Sequence, residues 1–138
     1  FKMTKISKNY KPTQKEKFMN AKMKEYFRLK LLGWKGELLK ESSQTLANLQ
    51  KEENSAKPDM TDRASEEIER SFELRTRDRE RKLINKIDSA LKRIVDGSYG
   101  YCEETGEPIG IKRLEARPIA TLSIEAQEIH EKQEKKLN

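Results

Sequence analysis

The tightest constraint on this chain is a spacing. Met23, Phe27, Leu31, Trp34, Leu38, Leu46 and Leu49 recur at steps of three and four, broken only between Leu38 and Leu46. Such steps bring one side chain per turn to the same face of an α-helix, so the run predicts a helical seam. Ser42 or Thr45 bridges the gap, which makes the seam thinner there. Asn20 is suited to cap the start of this helix. Gly33 and Gly36 each weaken it by roughly 1 kcal/mol relative to Ala and, flanking Trp34, are expected to let a neighbour approach closely.

The pattern stops over residues 52–62, where Asn54, Ser55, Pro58 and Asp59 supply turn and cap chemistry. It resumes as Ile68, Phe72, Arg75, Arg79, Leu83, Ile87, Ala90 and Ile94. Asp62 is the expected N-cap of this second helix, with Glu66 and Glu67 in turns where carboxylates favour the helix dipole. Glu73–Arg77 and Asp78–Lys82 are spaced to pair at i,i+4. Two helices of similar length joined by a short turn pack antiparallel. At ~1.5 Å per residue, arms of about 33 residues reach about 50 Å, longer than a small core needs. The turn is therefore a candidate contact point.

Composition agrees with a hairpin rather than a globule. Charged residues are 39% and hydrophobic residues 33%, too polar for a large central core but suited to helices that bury one stripe. The periodicity of the apolar residues argues against disorder. The net charge of +6 is uneven: residues 1–35 hold 11 Lys/Arg against two Glu, a balance of +9, and the remainder 19 against 22, a balance of −3. Beyond Lys35 the cations alternate with acids, unlike the one-sided basic face of a nucleic-acid binder. Residues 1–19, interrupted by Pro12, read as a solvated basic segment. One cysteine excludes an internal disulfide. No apolar run is long enough to span a membrane, so the expected location is the cytoplasm. The chain begins at Phe1, so residues upstream are expected. One His, one Cys and no phosphate loop give no support to catalysis.

Gly97 is placed to end the second helix. Tyr99–Cys102 and Pro108–Ile111 read as two small strands or a knuckle turned by Glu103–Gly106. A helix capped by Ser123 follows. Cys102-x2-Thr105 and Ser123-x2-Ala126, with 17 residues between, carry the spacing of a zinc ribbon but only one thiol. Hydroxyls and a methyl group cannot replace thiolates in a structural tetrahedral site, and His130 is a single imidazole. The expected result is a metal-free knuckle packed through Tyr99, Tyr101, Ile109, Ile111 and Leu114, with Cys102 a small buried hydrophobe.

Three runs then carry a family resemblance: Asp59-Met-Thr-Asp62-Arg63-Ala64; Ser71 to Ile84, with its charged Arg75-Thr-Arg77-Asp78-Arg79-Glu80-Arg81-Lys82 centre; and Gly100-Tyr101-Cys102-Glu103 with Gly110 to Pro118. Together they resemble the DksA/TraR family of bacterial transcription factors over most of residues 20–138. The resemblance implies direct binding to bacterial RNA polymerase without DNA contact. It also implies a coiled coil that enters the secondary channel and an acidic tip near the active site. It further implies control of rRNA and amino-acid promoters with guanosine tetraphosphate (ppGpp) in the stringent response. By position it assigns Asp59, Asp62 and Ala64 to the tip and Arg79 to a polymerase contact on the coil. Leu83, Lys86 and Arg117 fall at a ppGpp site shared with polymerase. Gln127 stands where a further cation is expected, which predicts weakened phosphate binding. Cys102, Thr105, Ser123 and Ala126 match the zinc positions of the family and place the chain with its zinc-independent variants.

The expected architecture is mainly α: a basic segment at 1–19 packing near the globular module, a hairpin at 20–96 with its tip at 57–64, and a degenerate zinc-finger-like module with a C-terminal helix at 97–138. A monomer with no cofactor is expected. A structural coiled-coil protein that dimerises along the seam and a weak DNA-binding factor are the alternatives.

Overall fold

A computed structural model describes the backbone of residues 5–53 and 60–137, and their side chains except those of 52–53 and 60–62. Four helices follow in order: α1 (Ala21–Glu53), α2 (Met60–Asp96), α3 (Ile111–Ala116) and α4 (Ile124–Leu137). Among the described residues there is no strand, only an isolated antiparallel bridge between Tyr101 and Pro108. Of the two readings of this stretch, two small strands or a knuckle, the second matches: it holds a single bridge, and Ile111 opens a helix.

The chain divides into two compact units, residues 1–32 with 87–138, and 33–86. In the first, α1 begins where expected: Asn20 Oδ1 accepts a hydrogen bond from the Met23 amide at 2.9 Å. Met23, Phe27 and Leu31 of α1 and Ile87, Ala90 and Ile94 of α2 are buried with Tyr99, Leu114 and Ala126. Gly97 ends α2 at a φ of 90°, its amide bonded to the Arg93 carbonyl at 2.9 Å. Gly100, also at φ 90°, is required for a second reason. A Cβ there would come within 3.1 Å of the Met19 side chain, which is buried against it. Phe18 meets Tyr101 edge-on, with ring centroids 5.5 Å apart.

The second unit pairs the later part of α1 with the early part of α2. Leu38 and Leu49 are buried on α1, and Ser42, Thr45 and Leu46 are half-buried, so the thin stretch of seam falls where the sequence places it. On α2 the structure corrects the expected seam. Ile68 is 72% exposed and Phe72 69%, and Arg75 and Arg79 are exposed as well. The covered positions include Glu66, Glu73 and Glu80, which continue one heptad at a time to Ile87 and Ile94 in the first unit, with Arg70, Thr76, Leu83 and Ile84 half-buried between them. The physical reason is the period. Helices that coil left-handedly keep a 3.5-residue repeat against their partner, whereas the Ile68-to-Ile94 series steps by more than 3.6 and drifts off the contact.

Three smaller corrections follow. A Cβ on Gly33 or Gly36 would meet nothing within 4 Å, so neither glycine admits a close neighbour. The Helix α2 begins at Met60, so Asp62 lies inside the first turn rather than capping it. Asp78 pairs with Arg81 at 3.4 Å rather than with Lys82, and among the described residues Glu73 and Arg77 form no ion pair, one carboxylate oxygen of Glu73 being buried without a hydrogen-bond partner.

Candidate functional site

The positions expected to act lie on three parts of the chain. Of the tip, Asp59 lies outside the described residues and Asp62 is placed by backbone alone. Ala64 is exposed on α2 and lines a shallow groove with Glu67, Ile68, Ser71, Phe72 and Arg75. One turn further along, Arg75, Asp78, Arg79, Lys82, Leu83 and Lys86 line a second groove. Arg79 and Lys86 therefore share one exposed face, with Leu83 half-buried at its edge. Among the described residues none of Arg75, Arg79, Lys82 and Lys86 forms an ion pair. Leu83 and Lys86 belong to one unit and Arg117 to the other.

Arg117 is exposed just after α3, in a stretch whose other side chains hold the first unit together. Leu114 is fully buried. Glu115 receives the Lys30 ammonium at 2.6 Å, and the same ammonium donates to the Glu115 carbonyl at 3.1 Å. Burial works against the Glu115 carboxylate, but the bonds from Lys30 and Tyr26 prevail and hold its pKa below the usual range. The Arg113 guanidinium donates to the Leu122 carbonyl at 2.9 Å, and the Tyr99 hydroxyl to that of Pro118 at 2.8 Å. The Tyr99 phenol is pushed up by its burial.

The knuckle brings the four zinc-spaced positions together. Cys102 is buried, its amide bonded to the Glu107 carbonyl and its carbonyl accepting from Gly106, which closes the turn. Its thiol is brought down to about 6 by the Thr105 hydroxyl and the Ser123 amide, helped by the amides of Thr105 and Glu104 and opposed by burial. Ser123 Oγ accepts the Ala126 amide at 3.2 Å, so it is spent as the cap of α4, and Ala126 is buried. His130 Nε2 bonds the Glu104 carboxylate, joining α4 to the turn, and that bond raises the imidazole pKa. This donor set does not fit a tetrahedral zinc ion: it offers one thiol, two hydroxyls already serving as local hydrogen-bond partners, and a methyl group. Among the described residues no group of three or more His, Cys, Asp or Glu is arranged to hold a metal. No described helix is long and apolar enough to cross a membrane.

Reading by residue type placed Ile68 and Phe72 in the seam and so missed the face they form with Arg75 and Lys82. The signal that would have found it is the seven-residue recurrence of Glu66, Glu73 and Glu80 running into Ile87.

Comparison with known proteins matches both parts of the chain. The family described as DnaK suppressor protein DksA, N-terminal domain, matches residues 23–94, and the prokaryotic dksA/traR C4-type zinc finger matches residues 97–132. The RNA polymerase-binding transcription factor DksA of Caulobacter vibrioides is 63% identical over 128 residues, covering 92% of this chain and 89% of the relative. The protein of the same name from Escherichia coli K12 is 44% identical, covering 93% and 84%. The solved structure of transcription factor DksA2 from Pseudomonas aeruginosa superimposes with a TM-score of 0.80 at 44% identity, covering 86% of this chain and 90% of that one.

Proposed function

The chain belongs to the DksA/TraR family, and from that premise we propose that it is a bacterial transcription regulator that binds RNA polymerase directly. The observation that carries this reading is the 63% identity, over nearly its whole length, to a relative named for polymerase binding. The hairpin enters the secondary channel and delivers the turn with Asp59, Asp62 and Ala64 towards the active site. Carboxylates at the end of a coil meet cationic or metal-bearing elements there, and the small side chain of Ala64 permits close approach. The protein acts as a cytoplasmic monomer and modulates initiation without a catalytic step of its own. Arg79 adds a contact along the coil.

Leu83, Lys86 and Arg117 contribute to a ppGpp site completed by polymerase, where Lys and Arg pair with the pyrophosphates. Gln127 supplies no charge there, so the response to ppGpp is weaker than four cationic or contact positions would give. The knuckle works without zinc. Metal analysis of the purified protein is expected to find well under one zinc per chain. Stoichiometric zinc that survives dialysis would overturn this.

The test is transcription from an rRNA promoter with the cognate polymerase, with and without ppGpp. Asp59→Asn combined with Asp62→Asn should leave folding and polymerase affinity nearly unchanged and abolish the effect on the promoter. Full repression by that double variant would take the tip out of the mechanism.

A further inference from the structure

A third groove, between the basic segment and the first turns of α1, has no part in the functional reading above. Ile6, Lys8 and Tyr10 of the segment line it together with Tyr26, Leu29 and Lys30 of α1. It encloses about 480 Å³, inside the roughly 300–1,000 Å³ range of ligand sites. Leu29 is 48% exposed there and Ile6 half-buried, so two aliphatic side chains stand open to a visitor. The polar groups around them are mostly committed. The Tyr10 hydroxyl donates to the Glu16 carboxylate at 3.0 Å, and the Tyr26 hydroxyl to Glu115. Burial pushes both phenols up to about 12, so they stay neutral donors and keep the two carboxylates occupied. The Lys30 ammonium is held by Glu115 as well. Lys8 remains, with Lys5 and Lys11 exposed on the same segment, and among the described residues none of these three forms an ion pair. The groove is thus apolar within and positive at its rim.

We propose that this groove binds an acidic peptide segment that carries one aliphatic side chain. Ile6 and Leu29 take the aliphatic side chain, and Lys5, Lys8 and Lys11 take the carboxylates that flank it. Ring geometry and charge decide the occupant. Single-stranded nucleic acid needs an open aromatic face on which to stack a base. The Tyr26 ring has none to spare: Tyr10 and Phe27 meet it edge-on, with centroids 6.1 and 5.1 Å away, and the Lys30 ammonium lies 6.0 Å from its centroid. A second copy of this chain meeting the first through the same surface would set lysine against lysine. Ammonium groups on flexible stems suit carboxylates of loosely fixed geometry, as a peptide presents them. All of these residues belong to the unit of residues 1–32 with 87–138, so the groove works without the tip and independently of polymerase.

The experiment titrates the full chain, without polymerase, into a fluorescein-labelled peptide of aspartates and glutamates around one central leucine, read by fluorescence anisotropy. Saturable binding is expected, weakened about tenfold when serine replaces the central leucine, as loss of an anchor does. Leu29→Ser changes an exposed side chain, so the variant should keep the helicity and nearly the unfolding midpoint of the parent. It should bind the leucine peptide about tenfold more weakly and the serine peptide as the parent does, a coupling that a merely structural effect would not produce. Lys8→Glu/Lys11→Glu should weaken both peptides and flatten the salt dependence of binding. No saturable binding of the leucine peptide by the folded parent would overturn the proposal. Equal affinity for the two peptides would reduce the site to the charge of a basic segment and overturn the groove. Tighter binding of a labelled oligothymidine, weakened by Leu29→Ser, would give the groove to nucleic acid and overturn the peptide. A parent that sediments as a dimer, with Leu29→Ser monomeric, would reassign the groove to self-association.

Discussion

Hydrogen bonds from Thr105, Ser123 and Glu104 converge on the sulfur of Cys102, and together they hold its thiol near 6 against a reference of 9.0. A group whose folded pKa is depressed contributes stability that is complete above its unfolded pKa and is lost as pH falls through the folded one. Cys102 should therefore make the module more stable as pH rises from about 6 to about 9. His130 runs the other way. Its pKa is raised by Glu104, so its contribution is complete below the unfolded value and fades as pH climbs through the folded one. Urea midpoints followed across this range should rise for the parent. Cys102→Ser should abolish the rise and expose the falling trend of the His130–Glu104 contact. Equal pH profiles for both proteins would show that the thiolate is not stabilised by the fold. The sequence shows that a thiol is alone among four zinc-spaced positions. It does not show that the Thr105 hydroxyl turns to the thiol, nor that amides of Ser123, Thr105 and Glu104 join it, because backbone amides carry no residue signature.

At the scale of the helices, α1 was readable because the apolar side chains at steps of three and four, such as Met23, Phe27, Leu31, Leu38 and Leu49, are also its buried ones, whereas Leu29, Leu32 and Leu39 fall off that spacing and are exposed. The Asn20 and Ser123 caps were readable for a similar reason, since a short side-chain oxygen three residues before a free amide has few other uses. On α2 the two signals separate: the apolar residues Ile68 and Phe72 face water, and the heptad belongs to glutamates. Residue type pointed one way and period the other, and packing followed the period. One carboxylate oxygen of Glu80 is buried without a partner. An unsatisfied buried acceptor costs roughly 1–3 kcal/mol, and replacing it with a side chain of similar length and no polar atom removes that cost. Glu80→Leu should therefore stabilise the hairpin by about 1 kcal/mol or more, read as a higher urea midpoint with an unchanged slope. A lower midpoint would mean that the carboxylate is held by an interaction that the leucine cannot supply.

Across the whole chain, the sequence separated a hairpin from a small module at Gly97, whereas the compact units divide at residues 32–33 and 86–87. The helix ends are written in capping residues and glycines, but compactness is set by which side chains meet: Phe27 of α1 packs on Tyr99 of the module, and Ile87 is buried within the same unit. The short helix α3 was also illegible. Its six residues carry no cap hydrogen bond from a side chain, and it is held by Leu114, Glu115 and Arg113 reaching other segments.

The seat of Met19 has a mechanical meaning. It enters through a left-handed backbone turn at φ 56° and fills the space over Gly100 that any larger residue would have claimed. The basic segment is thus held at its end by a plug, beside the contacts that Phe18 makes with Tyr101 and Tyr10 with Tyr26. A protease cutting ahead of Phe18 would shed charge and spare the plug, whereas a cut after Met19 would draw it and leave Gly100 with a hole above it.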